Sequence, residues 1–249
     1  MGRIKFYCAG TTEAARIAAR CMEKSGISFG RDPCGDITDL ILDVPSFDSH
    51  SNLKSGEDPN TLFPRLSPGT RIWGGKLRPM EGLIPIDLLQ DCTYLAENAA
   101  ITADCALKLA APMLKTTWKA STVLIIGWGR IGKHLSKMLK PYGTAVTVCA
   151  RKSSDRALIR AFGYTPVSPA SLSEVLPQTD LIFNTAPAKI LSRNALDSVP
   201  HCIGIDLAST QGLEGSHVTK ALGLPGKLAP ITSGRLIADT ILRLGKEVF

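Results

Sequence analysis

Three glycines stand at a fixed spacing in the middle of the chain, where an apolar run gives way to a helical pattern. The segment reads VLIIGWGRIGKHL. In a strand–turn–helix context, the first glycine allows a tight turn, the second lets a diphosphate approach the backbone, and the third lets the helix pack on the strand. The helix N-terminus then offers free N–H groups to the anion. The predicted dinucleotide contacts are Gly127, Trp128, Gly129, Arg130, Ile131 and Gly132.

The residues after the next predicted strand, AVTVC, bear on which dinucleotide would bind. An acidic residue about 20 positions beyond the glycines would bind the ribose diol of NAD. The sequence instead places Arg151, Lys152 and Ser153 there, and an arginine fork matches the geometry of a 2′-phosphate. We therefore expect NADP, with NAD as the alternative through Asp155. A solvated basic loop is the competing interpretation of the same residues.

Two further strand ends complete the predicted cofactor site. They are found in LIFNTAP and IGIDLAS, two apolar runs that end in polar residues. Ligands of open α/β sheets bind at the carboxyl ends of the strands, so these residues are candidates for contact with ribose or nicotinamide. The predicted contacts are Asn184, Thr185, Ala186, Pro187, Asp206 and Leu207.

Apolar periodicity divides the chain into two βα regions. We predict an α/β protein with two doubly wound parallel-sheet domains, because the strands of the second half are continuous apolar runs. The first, residues 1–93, is flavodoxin-like and forms the substrate side. A long alanine-rich helix opens the second, residues 94–231, a Rossmann domain that binds NADP. An amphipathic helix over residues 232–249 returns to pack on the first domain, and the ligand cleft is expected between the two domains.

Composition limits the classes of function. The seven cysteines are scattered and form no CxxC pair, which is typical of reduced thiols in a cytoplasmic protein. The four histidines are far apart, so we predict no metal site. A net charge of +7 favours an anionic ligand, while 6% aromatic residues and the lack of a dense basic stripe speak against nucleic acid. No apolar run is long enough for a bilayer, and we expect neither a signal peptide nor membrane association.

Several segments together resemble a known family. They are LIIGWGRIGKHL, VTVCARKSSD, LIFNTAPAKIL, IGIDLAS and LPGKLAPITSG, and the family is that of the dipicolinate synthase A chain. The resemblance covers residues 92–249 well and residues 1–91 only loosely. It implies a pyridine-nucleotide dehydrogenase that oxidises a cyclic dihydro-dicarboxylate to pyridine-2,6-dicarboxylate, a flavoprotein-like second subunit and a role in spore formation. We also expect a homo-oligomer.

The sequence departs from the family pattern in two places. KALG runs directly into LPGKLAP, so we expect the second sheet to lack an edge strand. The polar loop over residues 46–70 indicates a trimmed or remodelled first domain. Both departures bear on the identity of the substrate more than on cofactor binding.

The site residues weigh against oxidation of a 2-hydroxy acid. Such enzymes place an arginine after the strand that here ends in IDLAS and a histidine base near the start of the last helix, and neither is present. Forming a pyridine ring instead requires that two carboxylates be held while the nicotinamide accepts hydride. Cations and helix N-termini suit that task. The candidate catalytic residues are Lys76, Arg78, Lys227 and Asp206, with Thr11, Thr12 and Thr232 as further carboxylate contacts.

Each of these residues also has a purely structural interpretation, and two other functions stay open. The chain could be a non-catalytic dinucleotide-binding subunit or sensor, because no clear acid–base residue is evident. It could also be an NADP-dependent reductase of another small oxo acid.

Overall fold

A computed structural model of the chain describes residues 5–33 and 36–247. Expectations that fall on residues 1–4, 34–35 and 248–249, including the thiol of Cys34 and the end of the last helix, lie outside the described residues. The chain forms two compact units. The first comprises residues up to 98 together with those from 225 onward, and the second comprises residues 99–224.

The elements alternate between strands and helices. The strands are β1 (Lys5–Cys8), β2 (Ser28–Phe29), β3 (Asp39–Ile41), β4 (Arg71–Gly74), β5 (Ile84–Asp87), β6 (Thr122–Ile126), β7 (Ala145–Cys149), β8 (Thr165–Val167), β9 (Leu181–Asn184), β10 (Ile203–Asp206) and β11 (Val218–Lys220). The helices are α1 (Glu13–Lys24), α2 (Pro59–Leu62), α3 (Cys92–Ala110), α4 (Arg130–Leu139), α5 (Ser153–Ala161), α6 (Leu172–Val175), α7 (Arg193–Asp197), α8 (Leu224–Leu228) and α9 (Pro230–Glu247).

The first unit is built on a parallel five-stranded sheet in the order β2-β1-β3-β4-β5. This is the flavodoxin-like order, with a switch point between β1 and β3. The apolar residues of β3 and β4 are fully buried. Helix α9 packs on α1, and Gly234 permits this approach because a Cβ there would lie 2.6 Å from the carbonyl oxygen of Ala14.

The segment IDLLQD, residues 86–91, divides between a strand and a 3-10 turn. Ile86 and Asp87 belong to β5, and the single 3-10 turn begins at Leu88. Pro85 stands within the half-exposed IPID segment, and a proline disfavours a strand except at a sheet edge, which is where β5 lies.

The second unit is built on a parallel six-stranded sheet in the order β11-β10-β9-β6-β7-β8. Read from β8, this is the 3-2-1-4-5-6 order of a Rossmann fold, which switches between β6 and β9. The fold class predicted from the sequence is therefore confirmed. Helix α3 carries a buried stripe of alanines and ends at Ala110, just before a 3-10 turn that contains Pro112.

The predicted loss of an edge strand from the second sheet is wrong. Strand β11 pairs with β10 in parallel, with Val218 opposite Gly204 and Lys220 opposite Asp206. Its three residues are half-buried or exposed. A short edge strand needs no continuous apolar run, so the sequence carried no pattern from which to predict it.

Candidate functional site

The glycine turn between β6 and α4 has the geometry that a diphosphate cradle requires. Gly127 has a φ of +107° and donates its N–H to the carbonyl oxygen of Cys149 at 2.9 Å. A Cβ at Gly127 would clash with the Thr185 hydroxyl, and one at Gly132 would clash with the Gly127 carbonyl oxygen. The first and third glycines therefore allow the turn and the close packing of helix on strand.

The second glycine faces open space. Apart from Gly129 itself and its two chain neighbours, no described residue has an atom within 4 Å of the position that a Cβ at Gly129 would occupy. Gly129 is the N-cap of α4, and none of the described side chains caps that helix. The first N–H groups of α4 lack intrahelical partners, so the turn presents uncapped donors beside an opening. The residues present fit the diphosphate of a dinucleotide.

The basic loop after β7 lies at the head of the neighbouring helix. Arg151, Lys152 and Ser153 are exposed, and Lys152 is the N-cap of α5 without a side-chain capping bond. The loop is held by Arg156, whose Nη1 donates to the carbonyl oxygens of Ala150 at 2.9 Å and Arg151 at 2.6 Å. No local pattern distinguishes Arg156 from the other basic residues nearby. Its contacts fix the loop that displays the predicted 2′-phosphate contacts.

Asn184 and Asp206 form a buried pair at the ends of β9 and β10. Both are fully buried, and Asn184 Nδ2 donates to Asp206 Oδ1 at 2.9 Å. The same oxygen accepts the N–H of Ala208, and Asp206 Oδ2 accepts those of Gly212 at 2.7 Å and Leu213 at 3.0 Å. The Asp206 carboxylate therefore organises the loop after β10. Its buried oxygens are committed to these donors, which argues against proton transfer.

Asn184 of this pair also fixes the loop after β9. The Asn184 amide oxygen accepts the N–H of Ala186 at 3.1 Å. Thr185 donates both its N–H and its hydroxyl to the carbonyl oxygen of Ile126, at 2.8 and 3.0 Å. Thr185 also borders Gly127, so this loop adjoins the glycine turn. Pro187 is exposed, whereas Leu207 is buried and lies beneath the surface that a ligand would touch.

In the first unit, the head of α1 is filled by the chain's own carboxylate. Asp43, buried just beyond β3, accepts the N–H groups of Thr11 at 3.2 Å and Thr12 at 3.0 Å, and the Thr12 hydroxyl at 2.6 Å. The Thr12 hydroxyl also accepts the N–H of Ala15, capping α1. The expectation that these two N–H groups hold a substrate carboxylate is therefore corrected, because Asp43 already takes that place.

Strand-end loops of the first unit are bonded to one another. The Thr11 hydroxyl donates to the Lys54 carbonyl oxygen at 3.4 Å, and the Lys54 N–H donates to the Ser46 carbonyl oxygen at 3.0 Å. The Ser46 hydroxyl in turn accepts the N–H of Gly75 at 3.1 Å. These bonds tie the ends of β1, β3 and β4 to the loop that carries Lys54.

The positive charges of two other lysines act on Lys54. Partial burial lowers the pKa of Lys54 below its usual value; the charges of Lys76 and Lys227 lower it further, and that of Asp43 opposes them. Lys76 has a φ of +56°, a left-handed conformation that is costly for a residue with a side chain. Mutual repulsion among cations costs free energy that a bound anion would relieve. We call Lys54, Lys76 and Lys227 the lysine trio.

Two further candidates of the first unit are Arg78 and Thr232. Arg78 Nη2 donates to the hydroxyl of Ser51 at 2.9 Å, and its guanidinium lies 6.0 Å from the Phe47 ring centroid. Arg78 therefore braces the polar loop. Thr232 is exposed in the first turn of α9. Lys54 is the residue that the sequence did not reveal, because a lysine in a polar loop carries no distinguishing pattern.

Two negative findings concern the described parts of the chain only. No group of three His, Cys, Asp or Glu side chains there is arranged to hold a metal ion. None of the helices there combines the length and the hydropathy that crossing a membrane requires.

Comparisons with known proteins agree with this geometry. Residues 98–199 match the family model "D-isomer specific 2-hydroxyacid dehydrogenase, NAD binding domain". Over 97% of both chains, the structure superposes on the dipicolinate synthase A chain from Bacillus halodurans with a TM-score of 0.83 at 21% identity. A transhydrogenase from Sinorhizobium meliloti gives 0.71 at 13% identity, over 98% of this chain and 94% of that one.

Fold, glycine turn and the match over residues 98–199 place the second unit in the class of Rossmann-type NAD-binding domains. Among proteins with such a domain, the chain resembles the dipicolinate synthase A chain: it is 31% identical to that protein from Bacillus subtilis (strain 168) over 160 residues. The alignment spans 61% of this chain and 54%, about half, of that protein's length. The predicted resemblance is thus confirmed.

Proposed function

We propose that the protein is an NADP-dependent dehydrogenase that converts a dihydrodipicolinate-type cyclic dicarboxylate into pyridine-2,6-dicarboxylate. The observation that carries the proposal is the uncapped, open turn at Gly129, with the basic residues Arg151 and Lys152 after the next strand. The similarity to the dipicolinate synthase A chain supports the substrate class.

The cofactor would be held at two points by groups of the second unit. The N–H groups at the head of α4 would donate to the diphosphate, and Gly129 would leave room for it. Arg151, Lys152 and Ser153 would bind the 2′-phosphate, which favours NADP over NAD because no carboxylate of the loop itself repels it. When bound, the nicotinamide supplies hydride acceptance.

The lysine trio would hold the substrate in the first unit. A dicarboxylate carries two negative charges, and the ammonium groups of Lys76 and Lys227 would neutralise them, while Lys54 would act in its neutral form. Aromatisation of the ring provides the driving force, so the residues mainly position the substrate and exclude competing orientations. Lys54, whose pKa is lowered, is the member best suited to accept a proton, and Asp206 is a positioning residue.

A 2-hydroxy-acid substrate is disfavoured even though the family model carries that name. The match covers residues 98–199, the NAD-binding domain. The residues proposed to bind the substrate lie outside this range. The position after β10 holds the exposed residues Ser209 and Thr210, and the start of α9 holds Ile231 and Thr232. These residues provide neither a guanidinium for a 2-oxo acid nor an imidazole base.

The setting of the reaction follows from the same resemblance. We propose that the protein acts in the cytoplasm during spore formation, as a homo-oligomer that associates with a flavoprotein-like second subunit. Raised pKa values support reduced thiols there, since burial raises the pKa of Cys8 to about 11 and that of Cys202 to about 12.

The decisive experiment measures NADP and NAD affinity of the wild type and of Arg151→Ala. We expect the substitution to weaken NADP binding by about 10- to 30-fold, the loss of one charge-assisted contact, and to leave NAD binding unchanged. Arg160→Ala, an exposed arginine near the end of α5, is the matched control. Equal binding of NAD and NADP in both proteins would show that the basic loop does not select the cofactor.

One observation favours a second function, that of a non-catalytic dinucleotide-binding subunit. Asp206 is committed to the loop that it organises, so Lys54 is the remaining candidate for proton transfer. An absorbance assay for formation of the reduced cofactor, with the dihydro-dicarboxylate and the second subunit present, distinguishes the two functions. Turnover that Lys54→Met abolishes supports the dehydrogenase, whereas tight NADP binding without turnover supports the non-catalytic role.

A further inference from the structure

Net charge is distributed very unevenly along the chain. Residues 115–164 contain ten lysines and arginines and a single acidic residue, Asp155, which gives this stretch a charge of +9. The whole chain carries +7, so the remaining residues are slightly acidic. The cofactor site accounts for only part of this excess, namely Arg130, Arg151 and Lys152.

Part of the remaining charge lies beside aromatic residues of the second unit. The Trp118 and Tyr142 rings lie 6.3 Å apart, and the Trp128 ring lies 6.2 Å from the rings of both Phe162 and Tyr164. Lys140 joins the two sides of this group, since its Nζ donates to the carbonyl oxygen of Phe162 at 3.0 Å and lies 5.4 Å from the Tyr164 ring centroid.

Three large, mainly apolar side chains at the centre of this surface are about half exposed. Tyr142 is 55% exposed, Leu158 49% and Phe162 58%. Lys119 and Lys137 are exposed as well, and Lys119 lies beside Gly143, which follows Tyr142. We call this surface the basic aromatic face. An apolar centre surrounded by charged residues is the anatomy of a protein–protein interface.

We propose that the basic aromatic face docks an acidic surface of a different protein subunit. Charge complementarity selects the occupant, because a partner must carry the acidic residues that this face lacks. Pairing with the same face of a second copy would bring two strongly positive surfaces together, which opposes a symmetric dimer there.

Ring geometry favours a protein over single-stranded nucleic acid. Nucleic-acid platforms leave aromatic faces free for stacking on bases. Here two of the five rings are already covered, since Lys133 lies over the Trp128 ring at 5.8 Å and Lys140 lies over the Tyr164 ring. The exposed centre includes the aliphatic Leu158, which has no π face to offer.

The test uses the second subunit required by the proposed function, on which this inference therefore rests. Binding of the full chain to that partner is measured by titration calorimetry for the wild type, for Lys119→Glu/Lys137→Glu and for Phe162→Ala. We expect each variant to bind at least tenfold more weakly, and wild-type affinity to fall with rising salt.

Two controls make the outcome decisive. The double variant Arg193→Glu/Lys220→Glu reverses two exposed cations elsewhere in the second unit and should bind as the wild type does. All variants should bind NADP normally, so failure of the docking is distinguished from failure of the cofactor site. The proposal would be overturned if the face variants bound the partner as tightly as the wild type, or if the wild type did not bind it. It would also be overturned if the wild type self-associated and the face variants did not, or if the face bound a single-stranded oligonucleotide instead.

Discussion

The first βα turn of each unit occupies the same place in a parallel sheet, yet the two turns differ in what fills the head of the helix. In the first unit, Asp43 accepts the N–H groups of Thr11 and Thr12, and Thr12 caps α1. In the second, Gly129 leaves α4 uncapped by any described side chain and faces open space.

This difference shows when a helix N-terminus can serve as a ligand site. Both helices have the same unsatisfied donors and the same dipole. In the first unit the Thr12 hydroxyl satisfies one of them and the Asp43 carboxylate occupies the space before the helix, which stabilises the fold and closes the position to ligands. Where no side chain caps the helix, its free N–H groups can bind an external anion. The folded protein is then less stable while no anion is bound.

The largest effect should come from making the second turn resemble the first. Gly129→Asp places a carboxylate where the diphosphate would bind, and we expect NADP affinity to fall by about 100-fold or more, roughly 3 kcal/mol. The melting temperature should hardly change, because the new side chain enters open space and can cap α4. Calorimetric titration and thermal unfolding test the two parts, and Gly129→Ala should lie between. Retained NADP affinity in Gly129→Asp would rule out this turn as the diphosphate site.

The third glycine should behave in the opposite way. Gly132→Ala forces a Cβ against the Gly127 carbonyl oxygen, and we expect the free energy of unfolding to fall by about 2–3 kcal/mol. Gly226→Ala in α8, where no described atom lies within 4 Å of the new Cβ, is the control and should be neutral or slightly stabilising. Urea-induced unfolding measures both, and equal stabilities would mean that the helix does not pack on the turn as described.

Removing the charge that fills the first turn should cost stability without affecting the cofactor. In Asp43→Asn an amide NH₂ group replaces a carboxylate oxygen that accepted hydrogen bonds. We therefore expect the free energy of unfolding to fall by about 1–2 kcal/mol. NADP affinity should stay unchanged. Asp58→Asn at the head of α2 is the control, because asparagine caps helices as well as aspartate does. A drop in NADP affinity in Asp43→Asn would contradict the assignment of Asp43 to the first unit's fold alone.

The smallest effect concerns pH and the lysine trio. Because the pKa of Lys54 is lowered, its positive charge is lost at a lower pH than that of an ordinary lysine. We expect affinity for pyridine-2,6-dicarboxylate to fall by about threefold as pH rises through that pKa, roughly 0.7 kcal/mol. Lys54→Arg keeps its charge and should flatten the profile. An equally steep decline in Lys54→Arg would assign the pH dependence to another group.

Much of the second unit could be predicted because its signals are local. A continuous apolar run predicts a buried parallel strand, and GxGxxG after such a run has one well-defined physical use. Strand β11 was not predicted because an edge strand is held by backbone hydrogen bonds and needs no apolar pattern in its sequence. The roles of Arg156 and Asp206 escaped as well, since both bond to backbone groups of loops whose positions the sequence does not specify.

The first unit shows the same limit more strongly. Thr11 and Thr12 could be recognised as a helix start, but nothing local shows that a carboxylate 31 residues later, Asp43, fills that start. Lys54 belongs to a loop without periodicity, and hydrogen bonds through Ser46 link that loop to Gly75, the neighbour of Lys76.

Taken by itself, the sequence determined the parallel α/β architecture and the glycine turn, since both depend on the order of neighbouring residues along the chain. The tertiary structure decided which helix head stays open and which lysines come together. It also decided which carboxylate is consumed by the fold. Those outcomes depend on contacts between residues far apart in the chain, and they exist only once the strands have been placed side by side.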